Sequence, residues 1–258
     1  MRIKTIFRIT IILSYLIIVI LIASMIYPIP AHQIEIKELG NYYGYINGNL
    51  TAGTYLNINN RGPYPINDFT MHYDLYNSTI KVSSDTTNFG DIAGNKTLNV
   101  SFRINVNELL IKPELVYLIF HSTNLTLSLK VNGGYAYGLV KFFFNTNVTI
   151  AWERLAAFNI TGHYVTNNST DIFVHFPFYF GSAPFLHGNI TLISKMVLNG
   201  TVIGIFNKTI PLGTNYTSEI IFKFPISEMN YLQSNVKFIK VSFSARINNS
   251  TVDLGVIQ

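Results

Sequence analysis

The residues with the most specific chemistry in this sequence are asparagines that stand two positions before serine or threonine. Fifteen Asn-x-Ser/Thr triplets without a middle proline occur, although 28 Asn and 39 Ser plus Thr in 258 residues would give only about four by chance. Such triplets accept N-glycans on exported proteins. Their asparagines are Asn49, Asn77, Asn95, Asn99, Asn124, Asn147, Asn159, Asn167, Asn168, Asn189, Asn199, Asn207, Asn215, Asn248 and Asn249. We predict N-glycosylation at thirteen of these asparagines. Two pairs of triplets overlap, and from each pair we take the second asparagine, Asn168 or Asn249, as the acceptor.

Turn chemistry is an alternative interpretation of the same triplets. In a β protein, Asn, Ser and Thr side chains bond to nearby backbone groups and are therefore common in turns. This explanation accounts for abundant asparagine, but not for its fixed spacing from Ser and Thr. Both interpretations remain open at the level of the sequence.

Side chains that bind metals or catalyse reactions lack the spacing that such sites need. Two histidines never stand at i, i+2 or i, i+4 among His72, His121, His163, His175 and His187. The oxygen-rich stretch 85–91 lacks the bidentate Glu of a calcium loop and is interpreted as a polar hairpin. The carboxylate pairs Glu35/Glu38 and Glu108/Glu114 are interpreted as solvated. We predict a non-enzymatic protein without cofactor or metal; an extracellular hydrolase is a minor alternative.

Aromatic residues are the remaining candidates for ligand contact. Tyr42, Tyr43 and Tyr45 lie among Gly40, Gly44 and Gly48, which favours an accessible surface where tyrosine rings contact a sugar or a partner. Phe176, Phe178 and Phe180 alternate along one predicted strand and therefore belong to a buried face. The three tyrosines are the candidate ligand contacts.

Charge excludes nucleic acid as a partner. The net charge is +5, but Arg2, Lys4 and Arg8 precede an apolar run, and without them 15 basic residues face 13 acidic ones. Binding to nucleic acid needs clustered cations, which the sequence lacks. Charged residues make up only 12% of the chain and cysteine is absent. With many glycan acceptors, this composition favours an archaeal cell surface in hot or acidic surroundings.

The apolar run Ile9–Tyr27 positions the rest of the chain. It contains no charge, and nineteen helical residues span about 28 Å, close to the hydrocarbon thickness of a bilayer. We predict a transmembrane helix that binds the lipid bilayer, with residues 1–8 cytoplasmic and the bulk of the chain extracellular. A cleaved secretory signal and a buried core helix are the alternatives.

From His32 onward the pattern predicts strands. Short segments such as TLNVSFRINV and IFVHFPFYF alternate apolar and polar residues, and turns are indicated at Asn47-Gly48, Asn132-Gly133-Gly134 and Asn199-Gly200. This favours an all-β fold of antiparallel sandwiches. The weakly helical stretch Val106 to Val116 contains Pro113 and is interpreted as a loop or single turn.

Two halves of the predicted exterior part resemble each other. The segment from Ile34 parallels that from Val148, Tyr55 onward parallels Ile172 onward, and the strand from Thr97 parallels that from Ser218. A repeat of about 115 residues has the size of a domain. We predict two tandem modules, 33–145 and 146–258.

The same residues resemble a known family. A strand ending at Asn59-Asn60, a Pro63-Tyr64-Pro65-Ile66 turn and the alternating strands that follow are similar to the LEA14/WHy (water stress and hypersensitive response) domain. The second copy departs from this turn at residues 180–185. The resemblance implies a Greek-key-like antiparallel β-sandwich with a stress-associated or scaffold role and no catalytic residues.

Together these features predict a membrane-anchored, N-glycosylated extracellular protein with a structural or interaction role in the cell envelope, contacting protein partners there. The C-terminal segment Thr251–Gln258 is a candidate edge strand for pairing with a partner. The alternatives are a carbohydrate- or solute-binding module and an accessory subunit of a surface filament.

Overall fold

The chain folds almost entirely into antiparallel β-sheets, as its alternating pattern predicts. The computed structural model describes residues 34–62, 64–135, 138 and 140–257. These residues form two compact units. The first comprises residues up to Asn107 together with Ser122–Glu153, and the second comprises Glu108–His121 together with the residues from Arg154 onward.

The first unit consists of two sheets. One has the order β1-β2-β5 and contains β1 (Ile34–Ile46), β2 (Asn49–Asn60) and β5 (Asn95–Asn105). The other has the order β4-β3-β6-β7 and contains β3 (Ile66–Asn77), β4 (Ile80–Ile92), β6 (Thr123–Tyr135) and β7 (Val140–Trp152). The rings of Tyr73 in β3 and Phe102 in β5 meet at 6.3 Å. The sheets therefore pack face to face as a sandwich.

The second unit has the same arrangement. Its strands are β8 (Ala156–Ile160), β9 (Tyr164–Asn167), β10 (Asp171–Ser182), β11 (Asn189–Leu198), β12 (Thr201–Pro211), β13 (Asn215–Pro225), β14 (Ile239–Ile247) and β15 (Ser250–Ile257). One sheet has the order β13-β10-β8, with β9 also paired to β10, and the other has the order β12-β11-β14-β15. The sheet orders match those of the first unit strand by strand, with β8 and β9 together in the place of β1.

Helical segments connect the sheets in both halves. They are α1 (Val106–Ile111), α2 (Pro113–Phe120) and α3 (Met229–Ser234), with 3-10 turns at Ile226–Glu228 and Val236–Phe238. The prediction of a loop or a single turn from Val106 to Val116 was therefore wrong, because two helices lie there. Pro113 begins α2, where its missing N–H costs no hydrogen bond. The helix is held in place because Leu115, Val116, Leu118, Ile119 and Phe120 are buried.

Two predicted turns also lie within strands. The stretch 85–91, interpreted as a hairpin, is the second half of β4, which tolerates polar residues because it stands at the edge of its sheet. Gly133 and Gly134 belong to β6 and pair with Phe142 and Lys141. A Cβ at Gly133 would overlap the ring of Phe142, so this glycine accommodates a close side chain and does not mark a turn.

The described residues include the predicted module boundary but not the predicted membrane span. The boundary between 145 and 146 falls inside β7, which pairs with β6 from Tyr135↔Val140 to Thr123↔Trp152; the compact units divide at Glu153 and Arg154. The predicted span Ile9–Tyr27 and its flank 1–8 lie outside the described residues. Within the described residues, none of the helices has the length and apolarity that crossing a bilayer requires.

Candidate functional site

The candidate glycan acceptors lie at the surface of both units. All fifteen asparagines of the triplets belong to the described residues, and thirteen are exposed while Asn49 and Asn77 are half-buried. Some, such as Asn99 in β5 and Asn147 in β7, occupy the outward positions of alternating strands. Asn199 and Asn248 occupy hairpin turns with φ of 50° and 52°. The surface placement follows from alternation and turn geometry together.

Asparagine with a buried structural role is found outside the triplets. Asn60 is buried, and its Nδ2 donates to the carbonyl oxygens of Tyr64 at 2.9 Å and Ile92 at 3.0 Å. Its Oδ1 accepts a hydrogen bond from the Gly62 amide at 3.1 Å. This side chain fixes the connection from β2 to β3, which is the turn chemistry of the alternative interpretation. Turn chemistry thus explains Asn60, but not the exposed asparagines in mid-strand.

The overlapping triplets differ in how their amide groups are used. The Nδ2 of Asn248 donates to the Leu110 carbonyl oxygen at 3.0 Å, whereas a glycan would have to replace a hydrogen on this nitrogen. Asn168 uses its oxygen instead, which accepts from the backbone amides of Thr170 at 2.9 Å and Asp171 at 2.7 Å. This geometry favours Asn168 as an acceptor and disfavours Asn248 relative to Asn249.

Two of the three candidate tyrosines, Tyr42 and Tyr45, do not share one aromatic surface. All three lie on β1, where side chains alternate between the two faces, so Tyr42 and Tyr45 point to opposite faces. The ring of Tyr42 lies 5.2 Å from that of Tyr55, and its hydroxyl donates to Oδ1 of Asn99 at 2.6 Å. Tyr45 is exposed. The side chain of Tyr43 lies outside the described residues. Tyr42 therefore pairs with a candidate glycan acceptor and not with Tyr45.

A polar cluster that the sequence did not indicate lies on the outer face of the second unit. His175 contacts Glu219 through Nδ1 at 3.1 Å and Thr166 Oγ1 through Nε2 at 2.9 Å. The Tyr164 hydroxyl donates to Glu219 at 2.8 Å, and the Tyr164 ring stacks on His175 at 4.4 Å. The hydrogen bond from Tyr164, followed by that from His175, lowers the pKa of Glu219. Spacing along the sequence misses this cluster because its members come from three strands.

The cluster resembles a hydroxyl–imidazole–carboxylate triad in its connectivity, but its surroundings favour a structural role. Tyr164 occupies one oxygen of Glu219 and covers one face of the imidazole. Acyl transfer also requires donors aimed at an oxyanion. The cluster ties the short strand β9 to β10 and β13, since Tyr164 and Thr166 belong to β9.

A cavity of about 590 Å³ lies between the two sheets of the second unit. Its walls come from β9, β10 and β13 on one side and from β11, β14 and β15 on the other, with α3 at one end. Ile172, Val174 and Phe176 of β10 face Met196 of β11 across it. The sequence contained one signal for this cavity, the i, i+3, i+7 spacing of Met229, Leu232 and Val236. This spacing places three apolar residues on one side of a helical segment.

Comparisons with known proteins leave the family open. No family model and no curated protein matches the sequence. Among solved structures, a glycosyl hydrolase family 2 member from Bacteroides cellulosilyticus is similar with a TM-score of 0.31 and 10% identity, over 80% of this chain and 28% of its own. Red sea bream transglutaminase is similar with a TM-score of 0.34 and 9% identity, over 87% of this chain and 30% of its own. This chain thus spans less than a third of either protein.

Proposed function

We propose that this chain is a membrane-anchored, N-glycosylated extracellular protein that has a structural or interaction role in the cell envelope. The residues Ile9–Tyr27 hold it in the bilayer, and two tandem Greek-key-like sandwiches lie outside. A scaffold role without catalysis is also what the resemblance to the LEA14/WHy domain implies. The composition favours an archaeal host.

The observation that supports this proposal most strongly is the placement of the triplet asparagines. A triplet that arises for structural reasons has no need to expose its asparagine, whereas a glycan requires an exposed acceptor. None of the fifteen asparagines is buried, although Asn60 shows that this fold buries asparagine where a turn requires it. Surface exposure on both units is the pattern expected of a protein that carries glycans on all sides.

The absence of cysteine allows a direct test of orientation. The chain contains no cysteine, so one introduced thiol gives an unambiguous signal. Ser84→Cys adds a thiol at an exposed position of β4, and Lys4→Cys adds one in the basic flank. We expect a membrane-impermeant maleimide on intact cells to label Ser84→Cys, and to label Lys4→Cys only after lysis. Labelling of Lys4→Cys alone on intact cells would refute the orientation.

Retention of the anchor needs its own measurement, because a cleaved signal leads to the same exterior location. We expect the protein to resist alkaline carbonate extraction and its amino-terminal peptide to be recovered from the membrane fraction by mass spectrometry. Recovery of a mature chain that begins after Tyr27 would replace the anchor with a cleaved signal. It would leave the exterior location intact.

A further inference from the structure

We propose that the cavity of the second unit binds a single neutral hydrocarbon chain that ends in a hydroxyl, ester or amide group. This goes beyond the scaffold role, because it assigns a small-molecule ligand to one unit. The cavity opens to solvent, and its volume of about 590 Å³ lies within the range of small-molecule sites.

The lining selects an apolar ligand. Ile172, Val174 and Phe176 contribute branched and aromatic surface from one sheet, and Met196 faces them from the other. Met229 adds a second thioether from α3. Methionine side chains adapt to ligands of irregular shape because they are unbranched and polarizable. The site therefore suits a flexible chain of methylene or methyl-branched units.

The absence of charge at this site selects a neutral ligand. Among the described residues that line the cavity, none is Asp, Glu, Lys or Arg. A carboxylate or ammonium group taken into such a site would lose its hydration without gaining a counter-ion. The same argument disfavours phosphate-bearing groups inside the cavity.

Polar side chains at the entrance provide for one polar end group. His163 and Asn167 come from the residue before β9 and from β9 itself, and Gln233 comes from α3. All three are exposed although they line the cavity, which places them at its mouth. Their imidazole and amide groups both donate and accept hydrogen bonds, which matches a neutral alcohol, ester or amide. The hydrocarbon chain then extends inward between the sheets.

The entrance lies between β9 and the 3-10 turn after α3. Val165 and Val236 line the cavity but are 57% and 61% exposed, an unusual arrangement for two valines of one pocket. β9 has four residues and all are exposed. Its backbone pairs with β10, and the Tyr164–Glu219 hydrogen bond holds its outer face. Local opening of such a short, exposed strand costs less than unfolding of the core.

Photo-cross-linking of the full chain in lipid nanodiscs tests this site. The probe is hexadecanol with a diazirine in the middle of its chain, and labelled peptides are mapped by mass spectrometry. We expect labels on lining residues, with Met196 and Met229 among them. A parallel arm carries the diazirine in a phospholipid acyl chain, which distinguishes a ligand drawn from the bilayer from one taken up from solution. Labels confined to residues 1–33, or spread over exposed apolar residues of both units, would overturn the proposal.

Variants at the entrance provide the matched control. Val165→Trp and Val236→Trp place an indole on either lip, where exposure allows the larger side chain, and we expect several-fold less labelling of the cavity. Val202→Trp makes the same change at an exposed position of β12 that does not line the cavity, and we expect no effect. Equal thermal unfolding midpoints will establish that the variants fold. Undiminished labelling in both folded lip variants would refute the site.

Discussion

Asp74 is a buried carboxylate of the first unit that lies close to three basic side chains. It is 5% exposed, and its oxygens lie 2.6 Å from Lys81 Nζ, 3.0 Å from His72 Nε2 and 3.9 Å from Lys130 Nζ. Burial alone would raise the pKa of this carboxyl, but the hydrogen bonds from Lys81 and His72 outweigh burial and lower it. The ion cluster therefore keeps a charge stable at a site that would otherwise neutralise it.

Replacing this carboxylate should destabilise the first unit. We expect Asp74→Ala to lower the free energy of unfolding by about 2 kcal/mol, because charge-assisted hydrogen bonds are lost and partly buried cations remain. Denaturant unfolding measures the difference. Asp85→Ala removes an exposed carboxylate from the neighbouring strand and should change stability by less than about 0.5 kcal/mol. Equal effects of the two changes would disprove the role of the cluster.

The contribution of Asp74 should depend on pH in one direction. Since the folded pKa lies below the ordinary value of 3.8, the contribution is complete above that value and is lost as pH falls through the lower folded pKa. The stability difference between wild type and Asp74→Ala should therefore shrink as the pH falls below about 4. A difference that grows over this acidic range would contradict this assignment.

At the scale of single residues, the sequence predicted burial better than polar contacts. Phe176, Phe178 and Phe180 are buried, as their alternation predicted. The cluster around His175 was missed because its partners come from separate strands. Spacing along one strand carries no information about side chains that only tertiary pairing brings together.

At the scale of elements, tight hairpins were the most predictable feature. Asn47-Gly48 and Asn199-Gly200 both have positive φ at both positions, as a type I′ turn requires. The dipeptide alone specifies this geometry, so no distant contact is needed. Gly133 and Gly134 failed as turn signals because their roles depend on residues further along the chain: Gly133 accommodates the ring of Phe142, and Gly134 lies close to the backbone of Gly138. The helices α1 and α2 were missed for a similar reason, since burial of their apolar residues stabilises them.

The hairpin between β11 and β12 gives a quantitative prediction. Gly200 has φ of 84°, and Gly200→Ala should cost about 1–2 kcal/mol because a Cβ strains the left-handed conformation. A Cβ added at Gly94 would meet no other atom within 4 Å, and the φ of Gly94 is not positive, so Gly94→Ala should be neutral or slightly stabilising. Thermal unfolding midpoints of both variants measure these two changes in stability. A neutral Gly200→Ala would exclude this turn type.

The C-terminal edge strand gives a prediction about partners. β15 ends the order β12-β11-β14-β15, so no strand among the described residues pairs with its outer side, although α2 contacts part of it. Val256 is exposed on this strand, and Val256→Lys should weaken recruitment of any partner that adds a strand there while leaving stability within about 0.5 kcal/mol of wild type. Co-purification from native membranes measures recruitment. Unchanged partners in this variant would exclude the edge as the docking strand.

At the scale of the whole molecule, the sequence indicated that its two halves resemble each other, and the two units have matching strand orders. The residues at which the units divide could not be predicted from the sequence. Val148–Trp152 alternates like the start of a new strand, yet it completes β7. Glu108–His121 packs with the second unit although it lies between two strands of the first. Neither assignment follows from local pattern, because each depends on which surface the segment buries.

The most direct test of the account is glycan mapping of the chain purified from native membranes. Peptide mass spectrometry should find glycans at several of the thirteen acceptors, including mid-strand sites such as Asn147 and Asn159, and none at Asn60. Asn147→Gln and Asn159→Gln should each reduce the intact mass by one glycan. A chain recovered from the cytosol with all of these asparagines unmodified would contradict the account.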